Sequence, residues 1–555
     1  MSTSGLDSHG FTVDRERAKA ALQEGPIRLY LSTELPTDIS PHSAYRKFSG
    51  RSDTGAIDSG YQFLLESAAK ADSSDPSGAY GPDGPVDDRT RFSFLGYDPD
   101  GVVTIEGESV SYTDLGDDPL GDGVTSAPPS DAGLLDGLRA FMPDATPIGR
   151  PSRNRHRLDG GLVGFLAYEA VYDLWMRDTP VDPPSRSVPD ASFVVNTKTL
   201  VFDHREDRLS LVLTPVIDTE DSLDGVLERA DDEADRVTDI LTTESGGTVG
   251  AFTLERTEAS DRRRYERAVE TVRERIAAGE VYQTVISREE TFDGTFDPLP
   301  LYAALKHSSP SPYMYLLEFD DRSIVGASPE TLVTVADHDG HRRVVANPIA
   351  GTTQRGGSPA EGAPDPVEDR RLAGELLADD KERAEHTMLV DLTRNDLRRV
   401  CRGGSVRVTE FMAVRKYSHV QHIESEVVGE LDDGYDALDA IRSVFPAGTL
   451  SGAPKLRSME LISELEDGPR GVYGGGVGYL SFAGEADLAI VIRTATIGHG
   501  ETDRLSIRAG AGVVAASDPA DEFDETASKL DGLSAAIDLA LHDGDRPREV
   551  IDDER

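Results

Sequence analysis

The amino-acid sequence predicts a layered α+β fold, and three observations carry that expectation. Gly160-Gly-Leu-Val-Gly-Phe-Leu-Ala-Tyr168 is echoed by Gly474-Gly-Gly-Val-Gly-Tyr-Leu-Ser-Phe482, in both cases glycines leading into an alternating apolar run. Such runs suit buried strands that another backbone approaches closely. Stretches with helical apolar spacing lie among them. Two copies are too few for a solenoid, so the pair reads as matching strands in two halves of one fold.

Residues 1–25 are polar and read as a disordered N-terminus. Residues 26–215 form an N-terminal part, interrupted by the Asp/Ser/Pro/Gly-rich 71–89 and the Gly/Asp/Pro-rich 115–132, both loop-like in composition. Residues 216–249 are an acidic linker region, with helical spacing over 219–241 running into Glu244-Ser-Gly-Gly-Thr. Residues 250–541 form a C-terminal part. There Ser260 stands where it can cap a helix whose apolar stripe runs Tyr265, Ala268, Val269, Val272 and Ile276 and which stops at Gly279. A strand from Val281 to Arg288 follows. A further helix starts near Asp379 and carries Lys381 to Asp391, and Asp391-Leu-Thr-Arg-Asn-Asp396 reads as its capped end. The last helix begins after Pro519 and runs to about Leu541, leaving 542–555 as a flexible tail.

Composition narrows the partners. Lys and Arg number 57 against 102 Asp and Glu, a formal charge of −45 spread along the whole chain of 555 residues. That coat repels nucleic acid and anionic membranes. Only nine residues are lysine, and an acidic, lysine-poor surface suits concentrated salt, where screening shortens self-repulsion. Cys401 is the single cysteine, which excludes a disulfide framework and a cysteine zinc site. The N-terminus lacks an apolar signal core, and no run approaches the ~18 apolar residues of a membrane span. A soluble, cytoplasmic protein is expected.

Two acidic pairs are candidates for chemistry. Glu382 and Glu385 are three apart on one helix face, and Glu522, Glu525 and Lys529 share a face of the last helix. In so acidic a chain most such pairs are solvated surface. If the two faces meet, however, four carboxylates raise one another's pKa unless a cation lies between them, and an all-oxygen site favours Mg2+. Three turns, Asn347-Pro-Ile-Ala-Gly-Thr352, Pro446-Ala-Gly-Thr-Leu-Ser-Gly-Ala-Pro-Lys455 and Arg508-Ala-Gly-Ala-Gly512, present backbone N–H groups and hydroxyls suited to a small anion. None is a P-loop or a dinucleotide fingerprint.

In order along the chain, Gly326-Ala-Ser-Pro-Glu330, Pro348-Ile-Ala-Gly-Thr352, Lys381-Glu-Arg-Ala-Glu-His-Thr-Met-Leu-Val-Asp-Leu-Thr-Arg-Asn-Asp396, Gly448-Thr-Leu-Ser-Gly-Ala-Pro-Lys455, Gly510-Ala-Gly512 and Asp524-Glu-Thr-Ala-Ser-Lys529 resemble the chorismate-utilising enzymes, and within them the anthranilate synthase component I family. The resemblance runs from about Asp261 to Leu541 and more weakly from Pro26 to Thr214. It implies a two-sheet sandwich with flanking helices and a site that binds chorismate with Mg2+. On the matching positions it implies Glu385, Glu525, Glu382 and Glu522 as metal ligands. Gly351, Thr352, Tyr473, Arg493, Gly510, Gly512, Lys529 and Gln283 are the expected substrate contacts, and His422, Glu330 and Thr449 the expected catalytic residues, with Glu330 as acid for the departing ring hydroxyl and His422 assisting pyruvate elimination.

Two positions choose among members of the family. Where isochorismate and salicylate synthases carry a water-activating lysine this chain has Gln283, and an amide is no general base near neutral pH. Where aminodeoxychorismate synthases carry a nucleophilic lysine it has Ala350. Direct attack by ammonia is therefore expected, giving anthranilate and pyruvate. The alternatives are aminodeoxychorismate synthase component I and a non-catalytic tryptophan-binding paralogue. Leu65, Glu66 and Ser67, with Pro312, Tyr313, Met314, Val477 and Tyr479, resemble a tryptophan feedback pocket. The chain has no Gly-x-Cys-x-Gly elbow, so a separate glutamine amidotransferase subunit, in a heterotetramer, is the expected source of ammonia.

Overall fold

The computed structural model of the chain describes residues 5–6, 10–36, 38–50, 60–67, 91–116, 133–151, 158–219, 221–243, 250–338, 340–357, 365–416 and 420–543. The expected loops at 71–89 and 117–132, the linker residues 244–249 and the tail from 544 lie outside them.

Among the described residues two large sheets, of eleven and twelve strands, carry most of the chain. Period-two alternation assigns side chains to layers. In the strand Gln62–Glu66, Phe63 enters a cluster shared with Phe165, Val477 and Tyr479 of the other sheet, whereas Leu64 faces the opposite way, onto the helices Leu223–Thr242, Pro298–Ser308 and Pro519–Asp543. A third cluster packs the outer face of the eleven-stranded sheet, through Leu162, Leu166 and Leu480, against helices that include Ala437–Val444 and Lys455–Leu465. The result is four layers, helix on sheet on sheet on helix, which is the sandwich that was expected. Each large side chain buried this way contributes roughly 1.5–3 kcal/mol.

The repeated strands find each other. Gly161–Leu166 pairs antiparallel with Gly476–Ser481, and Gly164, the repeat's counterpart of Gly478, lies directly opposite it. A local two-fold therefore passes between the copies. A side chain at Gly478 would strike the backbone oxygen of Asp487 at 2.0 Å, and at φ +151 a non-glycine residue is also disfavoured. The twelve-stranded sheet is joined in the same manner, Gln62–Glu66 to Tyr313–Phe319. Residues 26–215 and 250–541 thus share both sheets instead of forming separate bodies.

Three expectations are corrected. Residues 1–25 contain a helix, Arg15–Leu22, capped by Asp14, with Phe11 and Ala18 buried: a short apolar stripe docks while the charges face water. The region 216–249 is no spacer over its described part, because Leu223–Thr242 buries Leu223, Val226, Leu227, Ala230, Ala234, Val237 and Leu241 on one face. The cap of the helix Arg262–Ala277 is Asp261, whose carboxylate accepts from Arg263 N, while Ser260 Oγ accepts from Arg288. The strand expected at Val281–Arg288 runs Gln283–Phe296, and the helix from Asp379 continues to Leu397.

Candidate active site

The site forms where the strand Gln283–Phe296 begins and its neighbour Asp503–Val513 ends, with Val285 opposite Gly512 and Ser287 opposite Gly510. Two helices bring carboxylates to this corner. The helix Asp380–Leu397 starts on an Asp379 cap and buries His386, Leu389 and Val390, which turns Glu382 and Glu385 toward the sheet end. Pro519–Asp543 opens on Asp518, which accepts from Ala520 N at 3.0 Å, and buries Leu530, Leu533, Ala536, Ile537 and Ala540, leaving Glu522, Glu525 and Lys529 together on the turns before them.

Specific contacts tie these parts together. Gln283 Nε2 donates to Glu385 Oε1 at 2.7 Å. Gly512 leaves room for this pair, since a Cβ there would meet Gln283 Nε2 at 2.5 Å. Lys529 Nζ donates to Gly510 O at 2.9 Å and pairs with Glu525 at 2.7 Å. Gly351 takes φ +79 at a register shift in the pairing of Ile349–Gln354 with Val420–Glu430. That bulge sets Thr352 directly across from His422, and Thr352 Oγ1 lies 2.8 Å from His422 Nδ1. On the neighbouring wall Thr449 Oγ1 donates to Glu330 Oε1 at 3.0 Å.

Burial decides the protonation states. Glu330 is pushed up to about 8, chiefly by loss of water, against the lowering effect of the Thr449 hydrogen bond. His422 is pushed down to about 3 by burial, with the Arg493 cation adding to it, so its ring is neutral. Arg493 acts on both groups and Lys529 acts on His422, which draws the two walls into one electrostatic site. Arg493 sits at φ +50, uncommon outside glycine and typical of functional positions. Burial pushes the Tyr473 hydroxyl up to about 12, opposed first by the Arg470 cation and, more weakly, by the Gly510 N–H that donates to its oxygen.

Two of the four glutamates feel the others. Glu382 is raised by burial and then by Glu385 and, more weakly, Glu525; Glu522 is raised by burial and then by Glu525. Among the described residues no three His, Cys, Asp or Glu side chains close into a group that could hold a metal. Glu385 is engaged by Gln283 and Glu525 by Lys529, so the carboxylates face a common space without forming a cage.

The residues expected to bind tryptophan are divided by strand alternation. Leu65, Tyr313, Val477 and Tyr479 meet in the inter-sheet cluster. Glu66 and Met314, adjacent in register, face the helix side instead, where Glu66 receives Tyr302 and Lys306. Ser67 Oγ is buried without a partner among the described residues, and Pro312 is buried beside Tyr313.

Sequence reasoning missed Arg470 and Glu466. They are spaced i, i+4, and both side chains are almost wholly buried, the guanidinium near the Tyr473 ring. The one available signal is Gly468-Pro-Arg-Gly471, an arginine in a rigid turn just before that tyrosine. Asp396 was read as part of a helix end; it is buried and holds Lys455 at 2.7 Å.

Comparison with known proteins identifies the family. The family model described as chorismate binding enzyme matches residues 129–535. Anthranilate synthase component 1 2 of Haloarcula marismortui is 53% identical over 528 residues, covering 94% of each chain. Anthranilate synthase component 1 of Haloferax volcanii is 51% identical over 94% of this chain and 97% of its own. The crystal structure of anthranilate synthase component I from Streptococcus pneumoniae superposes with a TM-score of 0.63 at 31% identity, over 80% of this chain and 92% of that one. The chain belongs to the chorismate binding enzymes, within their anthranilate synthase component 1 family.

Proposed function

We propose that this chain is the synthase subunit of anthranilate synthase, turning chorismate and ammonia into anthranilate, pyruvate and water. The observation that carries the reading is Gln283. Its Nε2 is committed to Glu385, while Oε1 is buried with no partner among the described residues. A carboxamide takes no proton near neutral pH, so nothing at this position activates water. A buried acceptor there suits the N–H of ammonia, which arrives with its own lone pair. Ala350, opposite Ile423, offers no covalent alternative.

In this reading nitrogen bonds to the ring carbon beside the carboxylate-bearing one while the ring double bonds shift and the C–O bond to the ring hydroxyl breaks. Glu330, protonated up to about pH 8, gives its proton to the departing oxygen, which leaves as water. The ammonium formed returns one proton to Glu330. The ring then loses the proton from the aminated carbon as the enolpyruvyl C–O bond breaks, and a proton is added to the enolpyruvyl methylene so that it leaves as pyruvate, with neutral His422, oriented by Thr352, beside it. Arg493, Tyr473, Lys529 and the N–H groups of Gly510 and Gly512 are the donors for the two substrate carboxylates, and Gly351, Thr352 and Thr449 line the ring. Glu385 and Glu525, with Glu382 and Glu522, are the groups to hold Mg2+; their all-oxygen donor set and mutual repulsion fit a hard divalent cation. When bound, such an ion supplies Lewis acidity toward the ring carboxylate.

Ammonia comes from a separate glutamine amidotransferase subunit in a cytoplasmic heterotetramer, and no helix among the described residues is long and apolar enough to cross a membrane. Tryptophan feedback is supported by the meeting of Leu65, Tyr313, Val477 and Tyr479 and by the buried Ser67 hydroxyl. The test is product identification: purified protein in high salt with chorismate, Mg2+ and ammonium should yield fluorescent anthranilate and equimolar pyruvate. A stable aminated product without pyruvate overturns the reading.

A further inference from the structure

One buried cation touches four segments that carry the site. Arg470 is 5% exposed. Its Nη1 donates to Leu450 O at 2.7 Å and its Nη2 to Val285 O at 2.8 Å. Nε donates to Glu466 Oε2 at 2.9 Å and Nη2 to Glu466 Oε1 at 2.5 Å, while its backbone N–H reaches Glu169 Oε1 at 2.7 Å. The guanidinium carbon lies 4.6 Å from the ring centroid of Tyr168 and 5.8 Å from that of Tyr473. Glu466 in turn accepts from the backbone N–H and hydroxyl of Ser287 at 2.7 and 3.0 Å.

The acceptors are informative. Leu450 follows Thr449 in the four-residue helix Gly448–Ser451, too short to satisfy its own carbonyls. Val285 is two residues from Gln283 and opposite Gly512. A guanidinium is planar and presents its donors in a fixed fork, so it acts as a rigid spacer between these two carbonyls. A buried ion pair of this kind is weak evidence for stability, because desolvation offsets most of its attraction. It does define geometry when the donors are held in several directions at once, and here each of Nε, Nη1 and Nη2 has an acceptor.

We propose that Arg470 is a positioning residue for the reaction. It sets the separation between Thr449, which holds the acid Glu330 on the leaving-group side, and Gln283, which receives ammonia on the nucleophile side, and its flat face supports Tyr473. This role rests on the anthranilate synthase reading above.

The test is Arg470→Lys, which keeps a cation opposite Glu466 but cannot span both carbonyls. Steady-state kinetics with chorismate, Mg2+ and ammonium should show kcat lowered about 100-fold, the scale of a misplaced reacting pair, with the KM for chorismate little changed. A purely structural role would lower the melting temperature and leave the kcat of the folded fraction intact, and that result overturns the proposal. If the lysine variant does not fold, Tyr168→Leu removes the ring beneath the guanidinium and spares its hydrogen bonds; about a tenfold loss of kcat is expected, and an unchanged kcat overturns the proposal. Wild-type protein that forms no anthranilate overturns both readings, whereas an active wild type with an equally fast variant overturns this one alone.

Discussion

Replacing Glu330 with glutamine tests the acid directly. The side chain is 5% exposed, and its carboxyl moves from an ordinary 4.5 to about 8, chiefly through lost hydration. At about 1.4 kcal/mol per pKa unit, the buried site favours the protonated form by roughly 5 kcal/mol, and at pH 7 about nine in ten molecules hold the proton. Glutamine preserves the shape, the neutral charge and an acceptor for Thr449, and it has no proton to give. Glu330→Gln should therefore fold and bind chorismate while kcat drops by about 10²–10⁴. Two pH signatures accompany the loss. Wild-type kcat, measured at constant neutral ammonia, falls as pH rises through about 8, and the variant lacks that limb. Because the folded-state pKa is the higher one, the wild type is most stable, as far as this group decides, below the unfolded value near 4.5 and loses that share of stability as pH rises through about 8. The variant should melt at a higher temperature than wild type above pH 8. Retention of kcat within tenfold, or a wild-type profile flat through pH 8–9, would refute the assignment of Glu330 as acid.

Glu525→Gln removes a carboxylate from the shared space and should abolish anthranilate formation together with the Mg2+-dependent rise in melting temperature expected of wild type; an intact Mg2+ shift in the variant would reject the ligand assignment. His422→Met should slow pyruvate release more than amination, so that an aminated intermediate accumulates by chromatography, and its absence would count against the role. Because His422 is held near 3, wild-type kcat should show no imidazole titration between pH 5 and 7, and a limb lost specifically in His422→Met would contradict the neutral ring. Ser67→Arg puts a long cation where the Ser67 hydroxyl is buried and should relieve tryptophan inhibition with turnover unchanged; persistent inhibition would place the regulator elsewhere.

Much of this architecture was legible because its signals are local. The stripe Tyr265, Ala268, Val269 and Val272 is buried where periodicity sets it, and Asp379 caps the helix that carries Glu382 and Glu385. Two of the errors share one cause. Polar composition suggested disorder at 1–25 and a spacer at 216–249, but a helix needs only one apolar stripe to dock, and Ala18 or Leu227 provides it inside a charged sequence. Alternation was also under-used: it sends Leu65 to one side of the sheet and Glu66 to the other.

Sequence alone determined the residue types on which the chemistry depends: an amide at Gln283, a methyl at Ala350, acidic residues at helical spacing, and glycines where backbones converge. Their convergence was decided by the tertiary fold. Protonation depends on neighbours distant in the chain, so that Glu330 holds its proton, and His422 loses its own, only because the packed chain buries both away from water. Arg470 shows the same limit. Nothing in its local sequence reveals that its donors reach carbonyls 20 and 185 residues away, since long-range contacts are a property of the packed chain and leave no periodic trace in the order of its residues.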